Sequence, residues 1–267
     1  MGGGTMRVNR PKERLRAGGV TVGTWSTLGN DLVAQILGNA GFEWVLVDME
    51  HGPVPLREVQ HAVTALCTTD AAPLVRVTWN ESALIQSALD SGAYGVLVPM
   101  VESAADARRA VRDARYPPAG NRSRGGLRAP FAFGTDAVTY GRNADDAILV
   151  MVQIETVAAL DALEEIAAVD GVDVLFVGPS DLATSMGIWP ADMTNMAPEY
   201  AAALARVPEV ARAHGRHAGI LTYAPAVAHA CIALGYTFVG VHSDATLLQE
   251  AARGVVAAMR APDDPFG

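Results

Sequence analysis

Lysine is nearly missing from this chain of 267 residues: Lys12 is the only one, and it lies in a polar N-terminal stretch. An enzyme that forms a Schiff base needs a lysine amine in a desolvated pocket. A single lysine in this position excludes a Schiff-base lysine for practical purposes. Cysteine is also scarce, because only Cys67 and Cys231 are present, far apart and without CxxC or other metal-ligand spacing. Both are predicted to be buried free thiols.

A basic field, long apolar runs and nucleotide-binding motifs are lacking as well. The chain has 29 acidic and 20 basic side chains, which argues against nucleic acid as a partner. It has no run of about 18 apolar residues and no apolar stretch at its start, so we expect a cytoplasmic protein that does not bind membranes. GxGxxG does not follow the first strand, and GxxxxGK followed by Ser or Thr is absent, which argues against a nucleotide cofactor.

Eight short runs rich in β-branched residues recur along the chain. They lie at 19–25, 44–49, 73–77, 94–100, 147–155, 172–178, 217–222 and 237–244. Near-continuous apolar strands separated by helix-like segments are typical of a parallel sheet with a covered outer face. Eight such alternations favour an α/β fold, a single-domain (β/α)8 TIM barrel over residues 19–267, rather than an open doubly wound sheet. Residues 1–18 are predicted to be a mobile N-terminal arm.

Glycines and one long polar segment mark the connections. Gly92, Gly171 and Gly235 each follow a helix-like segment and precede a strand, where a left-handed cap is expected. The segment 116–146 is rich in Gly, Arg and Pro and is predicted to be a long loop. Loops of that length in a compact domain tend to be functional or mobile.

Charged side chains stand at the ends of several predicted strands, which in a (β/α)8 barrel form the active site. Arg76 and Glu155 lie in apolar runs, where a charge needs a partner or a metal. Glu155 and Asp181 could bind a hard divalent metal; alternatively, each caps the helix that follows it. His51, three residues after Asp48, is either a general base oriented by that carboxylate or a structural histidine.

At these residues the sequence resembles the HpcH/HpaI aldolase family, the metal-dependent class II pyruvate aldolases. The resemblance extends from about Gly23 to Gly254, and its motifs stand in the family's order and spacing. They are WVLVDMEHGP, LVRVTWN, DSGAYGVLVPMV, RYPPAG, VQIET, VDVLFVGPSDL and GILT. The resemblance implies a (β/α)8 barrel. It also implies dimers that exchange their C-terminal helix, with three dimers forming a hexamer.

The resemblance assigns roles to the charged residues. Glu155 and Asp181 would be ligands of a divalent metal, Mg²⁺, Mn²⁺ or Co²⁺, with pyruvate completing the shell through its carboxylate and 2-oxo oxygen. Arg76 would face the 2-oxo oxygen and stabilise its negative charge. His51 and Asp48 would act as the base, either through metal-bound water or directly on the 4-hydroxyl of the substrate.

Other positions are implied to line the substrate. Gln153 would lie beside the metal ligand, and the backbone of Gly178, Pro179, Ser180 and Asp181 would form a carboxylate cradle at a helix N-terminus. Ser180 could instead be only a helix cap.

Three further residues match the family at the edge of the site. Asp90 is implied to reach a neighbouring subunit's active site, although an Asp at a helix end is equally often structural. Trp25 and Leu221 match pocket-lining positions, and either could be ordinary core.

One loop departs from the family pattern. Where the family reads Gly-x-Arg-Gly-x-Gly, this chain has Gly-Asn-Arg-Ser-Arg-Gly at 120–125. The additional arginine, with Arg128 nearby, could favour an acidic aldehyde such as a semialdehyde; the alternative is a solvated basic loop.

The predicted reaction is the reversible retro-aldol cleavage of a 4-hydroxy-2-oxo acid to pyruvate and an aldehyde through a metal-stabilised enolate. Alternatives on the same scaffold are oxaloacetate decarboxylation and a carbon-carbon bond-forming synthase. A third alternative is non-catalytic binding of a 2-oxo acid.

Overall fold

The computed structural model describes residues 6–189 and 193–260. Eight parallel strands pair in chain order, and the last pairs with the first to close a barrel. The strands are β1 (Thr21–Ser26), β2 (Trp44–Asp48), β3 (Ala72–Arg76), β4 (Gly95–Val98), β5 (Leu149–Ile154), β6 (Val174–Val177), β7 (His217–Thr222) and β8 (Phe238–Ser243). Each strand overlaps one predicted run, so the prediction of a (β/α)8 barrel is confirmed.

Helices precede, connect and follow the strands, and those between strands cover the outside of the barrel. They are α1 (Arg10–Arg16), α2 (Asp31–Asn39), α3 (Leu56–Leu66), α4 (Ser82–Asp90), α5 (Ala104–Ala114), α6 (Arg128–Ala132), α7 (Ala137–Ala147), α8 (Val157–Asp161), α9 (Leu163–Ala167), α10 (Pro179–Ser185), α11 (Pro198–Ala213), α12 (Pro225–Leu234) and α13 (Asp244–Met259). Among the described residues, none of these helices combines the length and the apolar character that crossing a membrane requires.

The barrel interior is packed around aromatic rings. Trp44 and Phe238 stack with their ring centroids 4.3 Å apart, and Phe176 meets Phe238 edge-on at 6.3 Å. Gly23 makes room for this cluster, because a Cβ at that position would lie 2.0 Å from the Trp44 ring. The middle of the barrel is therefore filled with apolar side chains, and polar groups are confined to its two ends.

The connections confirm one prediction and correct another. Gly92 and Gly235 have φ values of 101° and 107° just after α4 and α12, so these predicted left-handed caps are confirmed. Gly171 is also left-handed, with a φ of 94°, but it lies in the turn before β6, beyond the C-cap of α9 at Ala168. The prediction of one long loop over 116–146 is wrong, because the segment contains α6 and all but the last residue of α7. Asp136 begins α7 by accepting hydrogen bonds from the backbone N–H groups of Val138 and Thr139, which are local helix-capping contacts.

The prediction of a mobile arm is wrong for residues 9–16, which form α1 and the residue before it. The Asn9 side chain donates hydrogen bonds to the carbonyl oxygens of Tyr94 and Ala147, just before β4 and β5. These contacts attach the segment to the amino-terminal end of the barrel. The other parts of the predicted arm and barrel domain, at 1–5, 190–192 and 261–267, lie outside the described residues.

Lys12 lies buried at this amino-terminal end. Its Nζ donates to the carbonyl oxygen of Ile148 at 2.6 Å and lies 3.0 Å from Asp173 Oδ1. Arg115 Nη2 approaches the same carboxylate at 3.7 Å. Burial lowers the pKa of Lys12, and the Asp173 charge opposes that shift. The only lysine is therefore committed to a structural ion pair at the end of the barrel opposite the carboxyl ends of the strands.

The two thiols are unpaired and differ in exposure. Cys231 is buried, as predicted, and burial raises its pKa to about 11. Cys67 is only half-buried, so that prediction is correct in part.

The Lys12 ion pair generates a stability prediction. Replacing Lys12 with Met leaves the Asp173 carboxylate with Arg115 as its remaining cation, and we expect a loss of about 2 kcal/mol in the free energy of unfolding. The matched control is Arg10→Met on the same helix, because Arg10 pairs with Asp70 at an exposed site, where ion pairs contribute little. Equal melting temperatures for the two variants in thermal scans would contradict the structural role of Lys12.

Candidate active site

An arginine is fixed at the carboxyl ends of β2 and β3. Asp48 and Arg76 are register partners on these neighbouring strands. Arg76 Nε donates to Asp48 Oδ1 at 2.8 Å, and Arg76 Nη2 donates to Asp48 Oδ2 at 2.7 Å. Its remaining Nη1 lies 2.9 Å from Glu50 Oε2, and the guanidinium lies 4.4 Å from the centroid of the Trp25 ring. The side chain is thus a buried positive charge held by two carboxylates and one aromatic face.

Glu155 lies one residue beyond β5, almost fully buried. Its Oε1 accepts a 2.7 Å hydrogen bond from the backbone N–H of Met100, and its Oε2 accepts one from Gln153 Nε2. Met100 has a φ of 53°, a left-handed conformation that is uncommon for a residue with a side chain. The chain thus turns sharply at the residue whose backbone N–H donates to the carboxylate.

The charge state of Glu155 is sensitive to its neighbours. Burial raises its pKa to about 7; the Met100 N–H opposes the shift, the charges of Glu50 and Asp181 add to it, and Arg76 lowers it. Burial also raises the pKa of Glu50, with the Asp48 and Asp181 charges adding to the shift and Arg76 opposing it. Several carboxylates therefore share this space, and an additional cation would favour their ionised forms.

The donor set fits a divalent cation. Asp181, in the first turn of α10, is exposed at the mouth of the barrel and close enough for its charge to act on Glu155. Gln153 Oε1 is buried and has no hydrogen-bond partner among the described residues. Across the described ranges, no three His, Cys, Asp or Glu side chains form a ready metal cluster. Mg²⁺ commonly uses one or two carboxylates, with water and substrate as its other ligands, and Glu155 with Asp181 matches that pattern.

The start of α10 approaches Glu155 closely. A Cβ at Gly178 would lie 2.7 Å from both Glu155 Oε2 and Gln153 Nε2, so only glycine leaves space here. The N–H groups of Ser180 and Asp181 lie in the first turn of α10, where backbone donors lack intrahelical partners.

The capping alternatives for these residues are not what the structure shows. Thr156 caps α8 by accepting a hydrogen bond from the N–H of Ala159, so Glu155 is not the cap. Gly178 is the N-cap of α10, without a side-chain capping bond. Neither Ser180 nor Asp181 therefore caps that helix.

The predicted pairing of Asp48 with His51 needs correction. Both Asp48 oxygens accept hydrogen bonds from Arg76, which lies directly across from it, and Oδ1 also accepts from the N–H of Glu50 at 3.0 Å. His51 is exposed just beyond β2. No hydrogen bond joins it to Asp48 in the described chain.

The structure places the remaining predicted residues at two ends of the barrel. Trp25 is buried beneath Arg76, and Leu221 is partly buried on β7. Asp90 ends α4 and lies 2.7 Å from Arg122 Nη2. Arg122 donates its backbone N–H to the carbonyl oxygen of Arg115, which lies beside Asp173 at the amino-terminal end of the barrel. Asp90 therefore lies at the opposite end of the barrel from Glu155 of the same chain. The role of Asp90 in a neighbouring site stays a prediction.

The basic loop is also remote from the site of its own chain. Arg122 lies over the Tyr116 ring at 4.7 Å, and Arg124 lies over the same ring at 5.1 Å. Arg124 also donates to the carbonyl oxygen of Gly141. These contacts account for both arginines without a substrate.

Sequence reasoning missed three contributors to the site. Glu50 is two residues after Asp48, the spacing that places side chains on the same face of a strand, and it could have been found from that spacing. The Met100 N–H carries no signal in the sequence, because any residue supplies a backbone donor. Tyr223 lies one residue beyond β7, and the charges of Arg76, Asp48 and Asp181 all act on its hydroxyl.

The fold and site define a class of protein: a (β/α)8 barrel enzyme with a fixed guanidinium and clustered carboxylates at the carboxyl ends of its strands. The family model for HpcH/HpaI aldolase/citrate lyase matches residues 21–251, so the chain belongs to this family. It is an aldolase, a carbon-carbon lyase.

Relatives and solved structures agree with this assignment. The chain is 39% identical over 256 residues to hydroxypyruvate/pyruvate aldolase of Roseovarius nubinhibens, covering 96% of this chain and 98% of the relative. It is 39% identical to 4-hydroxy-2-oxo-heptane-1,7-dioate aldolase of Salmonella dublin, covering 93% and 94%. The crystal structure of an HpcH/HpaI aldolase/citrate lyase family protein from Burkholderia cenocepacia superposes with a TM-score of 0.87 at 35% identity, covering 95% and 100%.

The tight contact at Gly178 generates a prediction about cation binding. Gly178→Ala places a methyl group 2.7 Å from Glu155 Oε2, so the carboxylate must move. We expect the dissociation constant for Mn²⁺, measured by isothermal titration calorimetry, to rise at least about tenfold. The matched control is Gly125→Ala, where a Cβ would meet no described atom within 4 Å. Unchanged Mn²⁺ affinity in Gly178→Ala would contradict this placement of the cation.

Proposed function

We propose that this aldolase cleaves a 4-hydroxy-2-oxo acid reversibly into pyruvate and an aldehyde. The observation that carries the proposal is the Arg76 guanidinium, fixed by Asp48 and Glu50 beside the Glu155 carboxylate. A positive charge that is already oriented stabilises an oxyanion without reorganisation. The names of the two relatives, which act on pyruvate, hydroxypyruvate or a 4-hydroxy-2-oxo acid, support the same substrate class.

Glu155 and Asp181 would hold a divalent cation, with Mg²⁺, Mn²⁺ and Co²⁺ as the candidates. When bound, such an ion supplies a Lewis acid to the 2-oxo group of the substrate. The raised pKa of Glu155 and the unpartnered Gln153 Oε1 support a cation at this position.

The protein's own groups would bind and orient the 2-oxo acid. Arg76 would face the 2-oxo oxygen, where a single well-placed donor contributes on the order of 3 kcal/mol to the stability of the transition state. The backbone from Gly178 to Asp181 would receive the substrate carboxylate. Trp25 and Leu221 would form the apolar walls.

His51 would move the proton. In cleavage, the imidazole takes the proton of the 4-hydroxyl, directly or through a water, and the bond between carbons 3 and 4 breaks. The electron pair of the broken bond passes to the 2-oxo group and forms an enolate, and Arg76 stabilises the charge of that enolate. Protonation at carbon 3 releases pyruvate. In synthesis, His51 returns its proton to the aldehyde oxygen.

The position of Lys12 supports a mechanism without a Schiff base. Its amine lies at the amino-terminal end of the barrel and is already bonded to Ile148 and Asp173. Sodium borohydride with pyruvate should therefore leave the enzyme active.

Enolate formation can be tested without knowing the aldehyde. With Mg²⁺ or Mn²⁺, we expect proton-deuterium exchange at the pyruvate methyl group, measured by NMR. The exchange should be lost when a chelator is added and in Glu155→Ala. The matched control is Glu165→Ala on the outer helix α9, which removes a carboxylate far from the site. Absence of exchange with every divalent metal would overturn pyruvate as the donor. Exchange without aldehyde release from any 4-hydroxy-2-oxo acid would favour a synthase, oxaloacetate decarboxylation or simple binding.

We also propose that the chain forms dimers that exchange α13, with three dimers in a hexamer. α13 projects from the barrel with exposed apolar side chains on one face: Leu248, Val255, Val256 and Met259. α2, beside β1, exposes Leu32 and Ile36. Exposed apolar surface of this kind is typical of a subunit interface.

The dimer proposal predicts a change in assembly. Val255→Glu places a charge on the apolar face of α13, and we expect a smaller species by size-exclusion chromatography with light scattering. The matched control is Arg253→Glu on the same helix, which replaces one exposed charged side chain with another. The same mass for wild type and Val255→Glu would argue against an interface on this face.

A further inference from the structure

Two side chains at the mouth of the barrel have no role in the proposed enolate chemistry. Tyr223 follows β7, two residues after Leu221, and His242 lies on β8, two residues after Gly240. Leu221 and Gly240 face the interior, since a Cβ at Gly240 would lie 3.2 Å from Leu221 Cδ1 and 3.1 Å from Trp25 Nε1. Side chains two residues apart on a strand lie on the same face, so Tyr223 and His242 follow Leu221 and Gly240 on the inward face. Their rings meet edge-on, with centroids 6.5 Å apart and planes at 77°.

His242 has two features that require an explanation. Its φ is 61°, in the left-handed region that side chains other than glycine rarely occupy. The residue is only 9% exposed, and its Nδ1 is buried without a hydrogen-bond partner among the described residues. Glu250 Oε1 is 3.9 Å away, beyond hydrogen-bond distance. A strained backbone with an unpaired buried nitrogen is typical of a ligand-contacting position.

Tyr223 lies at the mouth of the barrel and is half-exposed. Partial burial raises its pKa above the ordinary value, and the charges of Arg76, Asp48 and Asp181 act on its hydroxyl. The phenol is therefore protonated at neutral pH and can donate a hydrogen bond as well as accept one.

We infer that Tyr223 and His242 bind the acceptor end of the substrate and select aldehydes that carry a hydroxyl next to the carbonyl. This inference rests on the proposed function. A hydroxyl group can both donate and accept, so it can pair with the Tyr223 hydroxyl and with His242 Nδ1 together. An apolar acceptor would leave the buried His242 Nδ1 without a hydrogen bond. The loss of a hydrogen bond to a buried group discriminates strongly between otherwise similar substrates.

The local charge argues against an acidic aldehyde. Glu250 lies beside His242. Arg76, the cation acting on Tyr223, already pairs with Asp48 and Glu50. A carboxylate on the acceptor would therefore find no free cation here and would lie near the Glu250 charge, whereas a neutral hydroxyl would not be repelled.

Selectivity between two matched acceptors tests the inference. Glycolaldehyde and acetaldehyde differ by one hydroxyl, and the measured quantity is the ratio of their kcat/KM values in aldol addition to pyruvate. We expect wild type to prefer glycolaldehyde over acetaldehyde and over succinic semialdehyde. Tyr223→Phe, which keeps the ring, should lower the glycolaldehyde-to-acetaldehyde ratio about tenfold. His242→Gly, which accepts the left-handed backbone, should lower it as well.

A control variant and an independent assay separate the possible failures. Tyr94→Phe removes a phenol hydroxyl at the other end of the barrel and should leave the ratio at the wild-type value. An unchanged ratio in both Tyr223→Phe and His242→Gly, or a wild-type preference for succinic semialdehyde, would overturn the inference alone. Absence of pyruvate methyl exchange in wild type would overturn the proposed function and the inference with it.

Discussion

The bidentate contact between Asp48 and Arg76 is the interaction on which the rest of the site depends. It joins the ends of β2 and β3 and directs one buried positive charge into a space that Glu50, Glu155 and Asp181 surround. Without that guanidinium the neighbouring carboxylates would repel each other more strongly, and their pKa values would rise further. The same contact occupies both oxygens of Asp48, which leaves His51 free at the mouth. The Asp48–Arg76 ion pair therefore sets the charge of the site and separates His51 from Asp48.

The barrel could be predicted because its signals are local. Eight β-branched runs, the helix-like segments between them and the glycines before three of the strands specify strands, helices and boundaries within short windows of sequence. The N-terminal helix could not be predicted in the same way. α1 is short, and its attachment depends on Asn9 and Lys12, which bond to groups just before β4, β5 and β6. Contacts over such separations leave no periodic pattern, so a polar segment resembled a free arm.

In the candidate site, too, the positions of residues could be predicted more easily than their contacts. Because a barrel gathers the ends of its strands, position along the chain was enough to bring Asp48, Arg76, Gln153 and Glu155 together. The partner of each group was harder to infer. Asp48 is three residues from His51 in sequence, yet register places it opposite Arg76. The Met100 N–H could not be found at all, since almost every residue type supplies the same backbone donor. The roles of these residues in catalysis stay proposals that rest on geometry and on the resemblance to the family.

Burial of the only lysine has a practical consequence for handling the protein. Amine-directed reagents such as succinimidyl esters and bifunctional cross-linkers find no exposed side-chain amine, because Lys12 Nζ is held beneath α1. Acylation of this nitrogen requires α1 to separate from the barrel. Its rate therefore reports the frequency of that local opening, and a mass spectrum can follow it one adduct at a time.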